Sequence, residues 1–139
     1  MSAPHLRYRE FLETLGPETL ARLPDYVSAD VRFADPFNDV RGVDAMTAVF
    51  RHMFENLGAV TFAVERMSFD GEVCLMSWRF SSTLRGKPWT FEGTSVIRFD
   101  EAGRVVEHVD HWDAAGSFYE RLPVIGWLLA RIRTRLAIR

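Results

Sequence analysis

Apolar and polar side chains alternate through much of the second half of the chain. From residue 59 onward the alternation is interrupted at three turn sequences, Asp70-Gly71, Arg85-Gly86-Lys87 and Asp100-Glu101-Ala102-Gly103. A period of two is typical of strands that bury one face, and short glycine-containing turns join antiparallel neighbours. The pattern therefore predicts a meander of four antiparallel strands, each with one face on a core.

The first half of the chain is mainly helical by the same criterion. Apolar residues recur at helical spacing over residues 8–15, which predicts a helix that Gly16-Pro17 ends. A second short helix is predicted to begin at Pro17 and to be broken at Pro24. Residues 31–35 alternate again, and they predict a strand in which Asp35 shares a face with apolar residues.

A longer helix is predicted between Gly42 and Gly58, after a loop at residues 36–39. With a further helix after the last strand, the elements predict an α+β fold in which helices pack on a curved antiparallel sheet. The chain has 139 residues, of which 47% are hydrophobic. This is enough for one domain whose core needs neither a metal ion nor a disulfide.

Charge, cysteine content and motifs exclude several classes of function. The net charge of -2 gives the chain no electrostatic basis for binding nucleic acid, and the single cysteine, Cys74, excludes a disulfide framework. No phosphate-binding or dinucleotide motif is present, so no cofactor is expected. The first residues lack the apolar core of a secretion signal, and no stretch has the roughly 18 apolar residues of a membrane span. We therefore expect a cytoplasmic protein.

The C-terminal segment differs in charge from the rest of the chain. Residues 121–139 contain five arginines and no acidic residue, which leaves a net charge of -7 on residues 1–120. We divide the chain into one domain over residues 1–122 and a basic amphipathic helix over residues 123–139. This helix has three interpretations: a lid over a pocket, a partner helix for another chain, or a peripheral contact with an anionic membrane.

Two stretches resemble a known superfamily. Asp35-Pro36-Phe37 follows the first predicted strand, and a Phe-Asp-Glu-Ala-Gly-Arg hairpin at residues 99–104 precedes Trp112. Together with Gly42 at the start of a helix, they resemble the superfamily of nuclear transport factor 2, the ketosteroid isomerases and the SnoaL-like polyketide cyclases. The resemblance runs from about residue 8 to residue 112. It implies a cone-shaped α+β barrel of the cystatin-like kind, whose sheet wraps around a pocket, and a homodimer.

The resemblance also implies roles for individual residues. In the isomerases a carboxylate base moves a proton while a tyrosine and a protonated acid stabilise the enolate oxygen. Asp35 stands at the base position, and Ser95 stands where the protonated acid would be. Tyr8 or Phe11 lies near the catalytic tyrosine, and Tyr26 matches a supporting tyrosine.

Related epoxide hydrolases use two aspartates and an arginine to activate water. Asp110 resembles one of these aspartates. Met76 and Trp78 occupy the positions of the arginine and the second aspartate, so the same hydrolytic device is not expected in this chain.

The predicted pocket is mostly apolar with a few ionisable groups. Its predicted catalytic residues are Asp35, His108 and Asp110, with no metal, and its predicted ligand contacts are Phe11, Tyr26, Phe33, Trp78, Phe80, Phe91, Ser95 and Trp112. Such a pocket is typical of small-molecule sites, and its aromatic walls suit a hydrophobic ligand. The main hypothesis is an isomerase, cyclase or hydratase in which Asp35 acts as a proton-transfer base beside a carbonyl group, Ser95 donates a hydrogen bond, and His108 and Asp110 form an acid/base or orienting pair.

Three alternatives to this enzyme hypothesis are left open by the sequence. Asp35 could brace the Pro36-Phe37 turn while His108 and Asp110 satisfy each other in a polar core, which would leave a non-catalytic binding or carrier domain for a hydrophobic molecule. Asp35, His108 and Asp110 could instead form a histidine and two-carboxylate metal site, although no second histidine is predicted on that face. The third is a scaffold that its basic helix recruits to a membrane or partner.

Overall fold

The computed structural model describes residues 3–117 and 124–137. Its helices are α1 (Pro4–Glu13), a 3-10 helix (Leu20–Asp25), α2 (Val43–Asn56), the four-residue α3 (Ala114–Ser117) and α4 (Ile125–Leu136). Its strands are β1 (Val27–Ala34), β2 (Asp39–Arg41), β3 (Gly58–Asp70), β4 (Val73–Leu84), β5 (Lys87–Phe99) and β6 (Val105–Trp112). Within these described residues, no helix is both long and apolar enough to cross a bilayer.

The six strands form one curved, unclosed sheet in the order β2-β1-β6-β5-β4-β3. The antiparallel meander predicted from the alternating sequence is confirmed as β3 to β6, with the predicted turns between its strands. The sheet is not wholly antiparallel, because β1 and β6 pair in parallel. The chain leaves β1 through β2 and α2, and it returns to β1 with the last strand of the meander, β6, which runs in the same direction as β1.

The structure corrects two local predictions in the first half. The loop predicted at residues 36–39 ends in β2, a three-residue strand that pairs with β1 and is too short to show an alternating pattern. The second helix is a 3-10 helix that begins at Leu20, and Pro24 lies inside it instead of breaking it. The predicted first and third helices are confirmed as α1 and α2.

The helices cover the concave face of the sheet. The α1 helix buries Tyr8, Phe11 and Leu12, and α2 buries Met46 and Phe50. These side chains join the inward residues of the strands in one hydrophobic core. The predicted cone-shaped α+β architecture with an additional C-terminal helix is therefore confirmed.

A bulge in β6 decides which of its faces is buried. Arg98 pairs with Glu107 but Phe99 pairs with Val105, so Val106 is an extra residue opposite the partner strand. Val105 and His108 both point into the core as a result, whereas simple alternation would place them on opposite faces. Simple alternation groups Val106 with His108, Asp110 and Trp112. The bulge removes Val106 from that group and leaves the other three in it.

Candidate functional site

A cavity of about 550 Å³ lies between the helices and the concave face of the sheet. Aromatic side chains make up much of its wall: Phe33, Phe37, Phe50, Phe54, Phe62, Trp78, Phe80, Trp89, Phe91 and Trp112. Several of these rings stack on one another, as Phe91 does on Trp112 at 4.4 Å between ring centroids. The size and the lining are those of a site for a small hydrophobic molecule.

The parallel pairing of β1 with β6 places polar groups together on one side of this cavity. Phe33 is in register with His108, and Ala34 with Val109, so Asp35 follows β1 at the level of Asp110. Asp35, Asn38, His108 and Asp110 all line the cavity. The two carboxyl groups are close enough for the charge of Asp110 to raise the pKa of Asp35.

These four residues form the polar wall of the cavity, and a chain of hydrogen bonds runs behind it. Tyr8 Oη lies 2.8 Å from His108 Nδ1, and His108 Nε2 lies 2.7 Å from Asp110 Oδ1. Ser95 donates to the same Asp110 oxygen at 2.5 Å and accepts a hydrogen bond from Trp78 Nε1 at 2.8 Å. One oxygen of Asp110 therefore receives two hydrogen bonds from the protein, while the residue itself faces the cavity.

Trp78, at one end of this chain, fixes the first proton. An indole N–H can only donate, so Ser95 accepts from Trp78 and directs its own proton to Asp110. With Asp110 as an accepting carboxylate, we assign His108 as the donor to it from Nε2 and Tyr8 as the donor to His108 Nδ1. Both contacts of the His108 ring fit the tautomer with its proton on Nε2, which is assigned from the two hydrogen-bond partners.

Tyr8 is held in its protonated form. Burial raises the pKa of Tyr8 well above its ordinary value, and the negative charge of Asp110 raises it further. The hydroxyl is thus a stable donor to His108, with its ring buried against Phe99 and His108. The sequence left open whether Tyr8 or Phe11 stands at the polar site, and the structure places Tyr8 there.

The two carboxyl oxygens of Asp35 have different surroundings. Its Oδ1 accepts hydrogen bonds from the backbone N–H groups of Phe37 (2.8 Å) and Asn38 (2.7 Å) and from the Asn38 side chain (3.1 Å), so the carboxyl group braces the turn after β1. Its Oδ2 has one contact among the described residues, 3.4 Å from Asn38 Nδ2. Burial raises the pKa of Asp35, these hydrogen bonds lower it, and the net direction is upward.

The predicted ligand contacts divide into two groups. Phe33, Trp78, Phe80, Phe91 and Trp112 line the cavity. Phe11 and Tyr26 stack on each other at 4.3 Å outside the lining, and Ser95 is fully buried in the hydrogen-bonded chain. These three residues therefore support the site from behind its wall.

Part of the site was not predicted from the sequence. The sequence pattern does not place Asn38, His52, Phe62 or Trp89 in the cavity, yet all four line it, and His52 is also exposed. The helical period of α2 could have revealed its contribution, because Val49 and Met53 lie on the face that packs toward the sheet. The turn residue Asn38 carried no such signal.

The same geometry bears on Cys74 and on the metal alternative. Cys74 is buried, and burial raises the pKa of its thiol to about 11, which matches an inert packing role. In the two described stretches of the chain, no three His, Cys, Asp or Glu side chains are arranged to hold a metal ion. Asp35, His108 and Asp110 thus lie together without forming such a set.

Residues 8–108 match the family model of the SnoaL-like domain. The chain belongs to the SnoaL-like domain family. The family resemblance drawn from Asp35-Pro36-Phe37 and the later hairpin is thereby confirmed. No curated protein matches the chain.

Several solved structures share the fold of this SnoaL-like domain. An NTF2-like protein of unknown function from Burkholderia pseudomallei K96243 is 25% identical, with a TM-score of 0.74 over 84% of this chain and 95% of that chain. An LEH-like epoxide hydrolase of M. tuberculosis is 18% identical, with a TM-score of 0.71 over 99% and 100%. A ketosteroid isomerase-like fold from Catenulispora acidiphila DSM 44928, in complex with trimethylamine, is 13% identical, with a TM-score of 0.74 over 91% and 98%.

Proposed function

We propose that this SnoaL-like protein is a proton-transfer enzyme that acts on a small hydrophobic carbonyl compound. The observation that supports this most directly is the position of Asp110. One of its oxygens is held by Ser95 and His108, and the carboxylate faces an aromatic cavity. A carboxylate fixed in this way, beside a bound ketone, is suited to take a proton from the carbon next to the carbonyl group.

Asp35 is the complementary acid in this proposal. A raised pKa favours its neutral form, and a neutral carboxyl group can donate a hydrogen bond to the oxygen that becomes negative when the proton leaves carbon. Asp110 then returns the proton to another carbon of the substrate. This assignment reverses the one expected from the sequence, in which Asp35 was the base, because burial raises the pKa of Asp35 while Ser95 and His108 hold Asp110 as an accepting carboxylate.

Substitution of the two aspartates by asparagine tests the assignment. The assay is the exchange of deuterium from D2O into the carbon beside the carbonyl of hydrophobic cyclic ketones, followed by NMR. Asp110→Asn removes the base, and we expect a loss of exchange of about 100-fold or more. Asp35→Asn keeps a donor and an acceptor at the turn, so we expect a smaller loss and a weaker decline of the rate at high pH.

The control for this experiment is Asp30→Asn, which changes an exposed carboxylate by the same chemistry. This variant should catalyse deuterium exchange into the ketones at the wild-type rate. If Asp35→Asn abolishes exchange and Asp110→Asn does not, the roles are the reverse of those proposed. Exchange at the uncatalysed rate in the wild-type protein with every ketone that binds would contradict the enzyme proposal.

A hydrophobic-ligand carrier is the second candidate, and one observation favours it. The described cavity lining contains no Ser, Thr or Tyr hydroxyl, because Ser95 and Tyr8 direct theirs into the hydrogen-bonded chain. A carrier would bind ketones and phenols without exchanging their protons. Tryptophan-fluorescence titration measures that binding separately, since Trp78, Trp89 and Trp112 line the cavity.

A further inference from the structure

The α4 helix exposes its apolar side. Ile125, Leu128, Ile132 and Leu136 lie along one stripe at helical spacing, and all of them are exposed; Leu128 is 51% exposed. Gly126 is the buried residue of the helix. An amphipathic helix in a globular domain ordinarily buries its apolar stripe. Among the described residues of this domain, the apolar stripe stays exposed and is available to an external surface.

The helix is placed beside the cavity but does not close it. It contacts α3, whose Ser117 carbonyl accepts a hydrogen bond of 2.6 Å from the cavity residue Trp89. The cavity lining within the described residues includes none from α4. This placement does not support the lid interpretation of the C-terminal segment. Its proposed boundary at residues 122 and 123, and Arg139 at its end, lie outside the described residues.

Charge identifies the kind of surface that α4 fits. The helix has no acidic residue, and exposed Arg131 and Arg135 lie beside one edge of the apolar stripe. Arg131 also lies over the ring of Trp127, which is 62% exposed, at 5.5 Å from the ring centroid. Arginine stems can lie along apolar surface while their charges reach outward, and tryptophan is enriched where apolar and polar phases meet.

We infer that α4 docks the protein on an anionic lipid bilayer, with the apolar stripe in the interface and the arginines on lipid phosphates. A second copy of this chain fits less well, because a symmetric pairing of two α4 stripes would bring the arginines of both helices together without an acidic partner on either helix. An anionic bilayer satisfies both the apolar stripe and the positive edge.

Vesicle sedimentation of the full chain tests the inference. One vesicle contains phosphatidylcholine alone, and the other contains equal parts of phosphatidylcholine and phosphatidylglycerol. We expect binding to the anionic vesicle only, weakened by added salt. The double variant Arg131→Gln/Arg135→Gln should bind about 30-fold more weakly, since each arginine near the surface contributes about fivefold.

The matched control removes the same charge elsewhere. Arg66→Gln/Arg98→Gln changes two exposed arginines of the sheet and should bind like the wild type. Equal losses in both double variants would show that net charge, not α4, governs binding, and would overturn the inference. Failure of the wild type to sediment with anionic vesicles would overturn it as well.

A second variant distinguishes lipid from a protein partner. Leu128→Ala/Ile132→Ala shortens two exposed side chains, so the fold should persist while vesicle binding falls at least tenfold. The oligomeric state of each protein is measured in parallel by sedimentation equilibrium. A wild-type dimer that becomes monomeric in this variant, without any vesicle binding, would show that α4 pairs with a second copy and would overturn the lipid inference.

Discussion

Tyr8 shows how one hydroxyl group can decide the protonation of a site. It is 1% exposed and donates to His108 Nδ1, which leaves the Nε2 proton of His108 for Asp110. Without the tyrosine hydroxyl, His108 Nδ1 would be a buried acceptor with no donor, and the imidazole would be free to change tautomer. The hydrogen bond that His108 donates to the Asp110 carboxylate therefore depends on this contact.

We therefore expect Tyr8→Phe to lower the free energy of unfolding by about 1–3 kcal/mol, the cost of an unsatisfied buried polar group. Urea denaturation followed by tryptophan fluorescence measures this change. Tyr26→Phe is the control, since Tyr26 is only partly buried and stacks on Phe11 through its ring. Its stability should change by less than about 0.5 kcal/mol. Equal stability of the wild type and Tyr8→Phe would show that His108 does not need this donor.

Gly93 makes room for the side chain of Trp78. The two residues are paired across β4 and β5, and a Cβ on Gly93 would lie 2.5 Å from the Trp78 ring and 2.9 Å from the His111 carbonyl oxygen. The absent side chain makes room for the indole whose N–H begins the hydrogen-bonded chain to Asp110.

Gly93→Ala should consequently destabilise the protein by about 1–3 kcal/mol and displace Trp78. Urea denaturation and a change in the native tryptophan emission would report the two effects. Thr94→Ala, at the neighbouring exposed position on the other face of β5, should alter neither. A wild-type emission spectrum for Gly93→Ala would contradict the proposed packing of the indole over the glycine.

At the scale of the elements, the sequence predicted those that have long regular patterns. The period of two located β3 to β6, and the period of 3.6 located α1 and α2, because each of these elements buries one continuous face. β2 has three residues, and the bulge at Val106 shifts the pattern of β6 by one position. No periodicity can reveal either feature.

The parallel pairing of β1 with β6 could not be predicted from local sequence patterns either. Residues 27–34 and 105–112 are far apart in sequence, and their register is fixed by packing and by pairs such as Arg32, which bridges Asp39 of β2 and Glu107 of β6. The sequence could therefore name Asp35, His108 and Asp110 as a group, through the resemblance. It could not show that Asp35 Oδ1 braces a turn while Asp110 is fixed by Ser95.

The two amphipathic helices α2 and α4 should respond in opposite ways to truncation of their apolar residues. Met46 of α2 is fully buried, so Met46→Ala should cost about 2–5 kcal/mol of stability. Ile132 of α4 is 48% exposed, so Ile132→Ala should change stability by less than about 0.5 kcal/mol. Urea denaturation of the two variants makes the comparison. A large loss in Ile132→Ala would mean that α4 packs its stripe on the domain in solution.

In the whole molecule, the titration of Asp35 in the site changes the free energy of unfolding. Asp35 and Asp110 both line one largely apolar cavity, and burial together with the charge of Asp110 raises the pKa of Asp35 above its ordinary value of 3.8. Between that value and the raised one, the folded protein holds a proton that the unfolded chain has released. Stability from this group is complete below the unfolded pKa and is lost as the pH rises through the folded pKa.

Asp35→Asn removes this titration while keeping an acceptor for the turn N–H groups. The wild type should therefore lose stability relative to Asp35→Asn as the pH is raised above about 4, with the difference set by the upward shift of one pKa. Urea denaturation of both proteins at several pH values measures it, and Asp30→Asn, which changes an exposed carboxylate, is the control. A difference that moves in the other direction would mean that the turn hydrogen bonds outweigh burial, and Asp35 would then be ionised in the folded protein and unable to act as the acid.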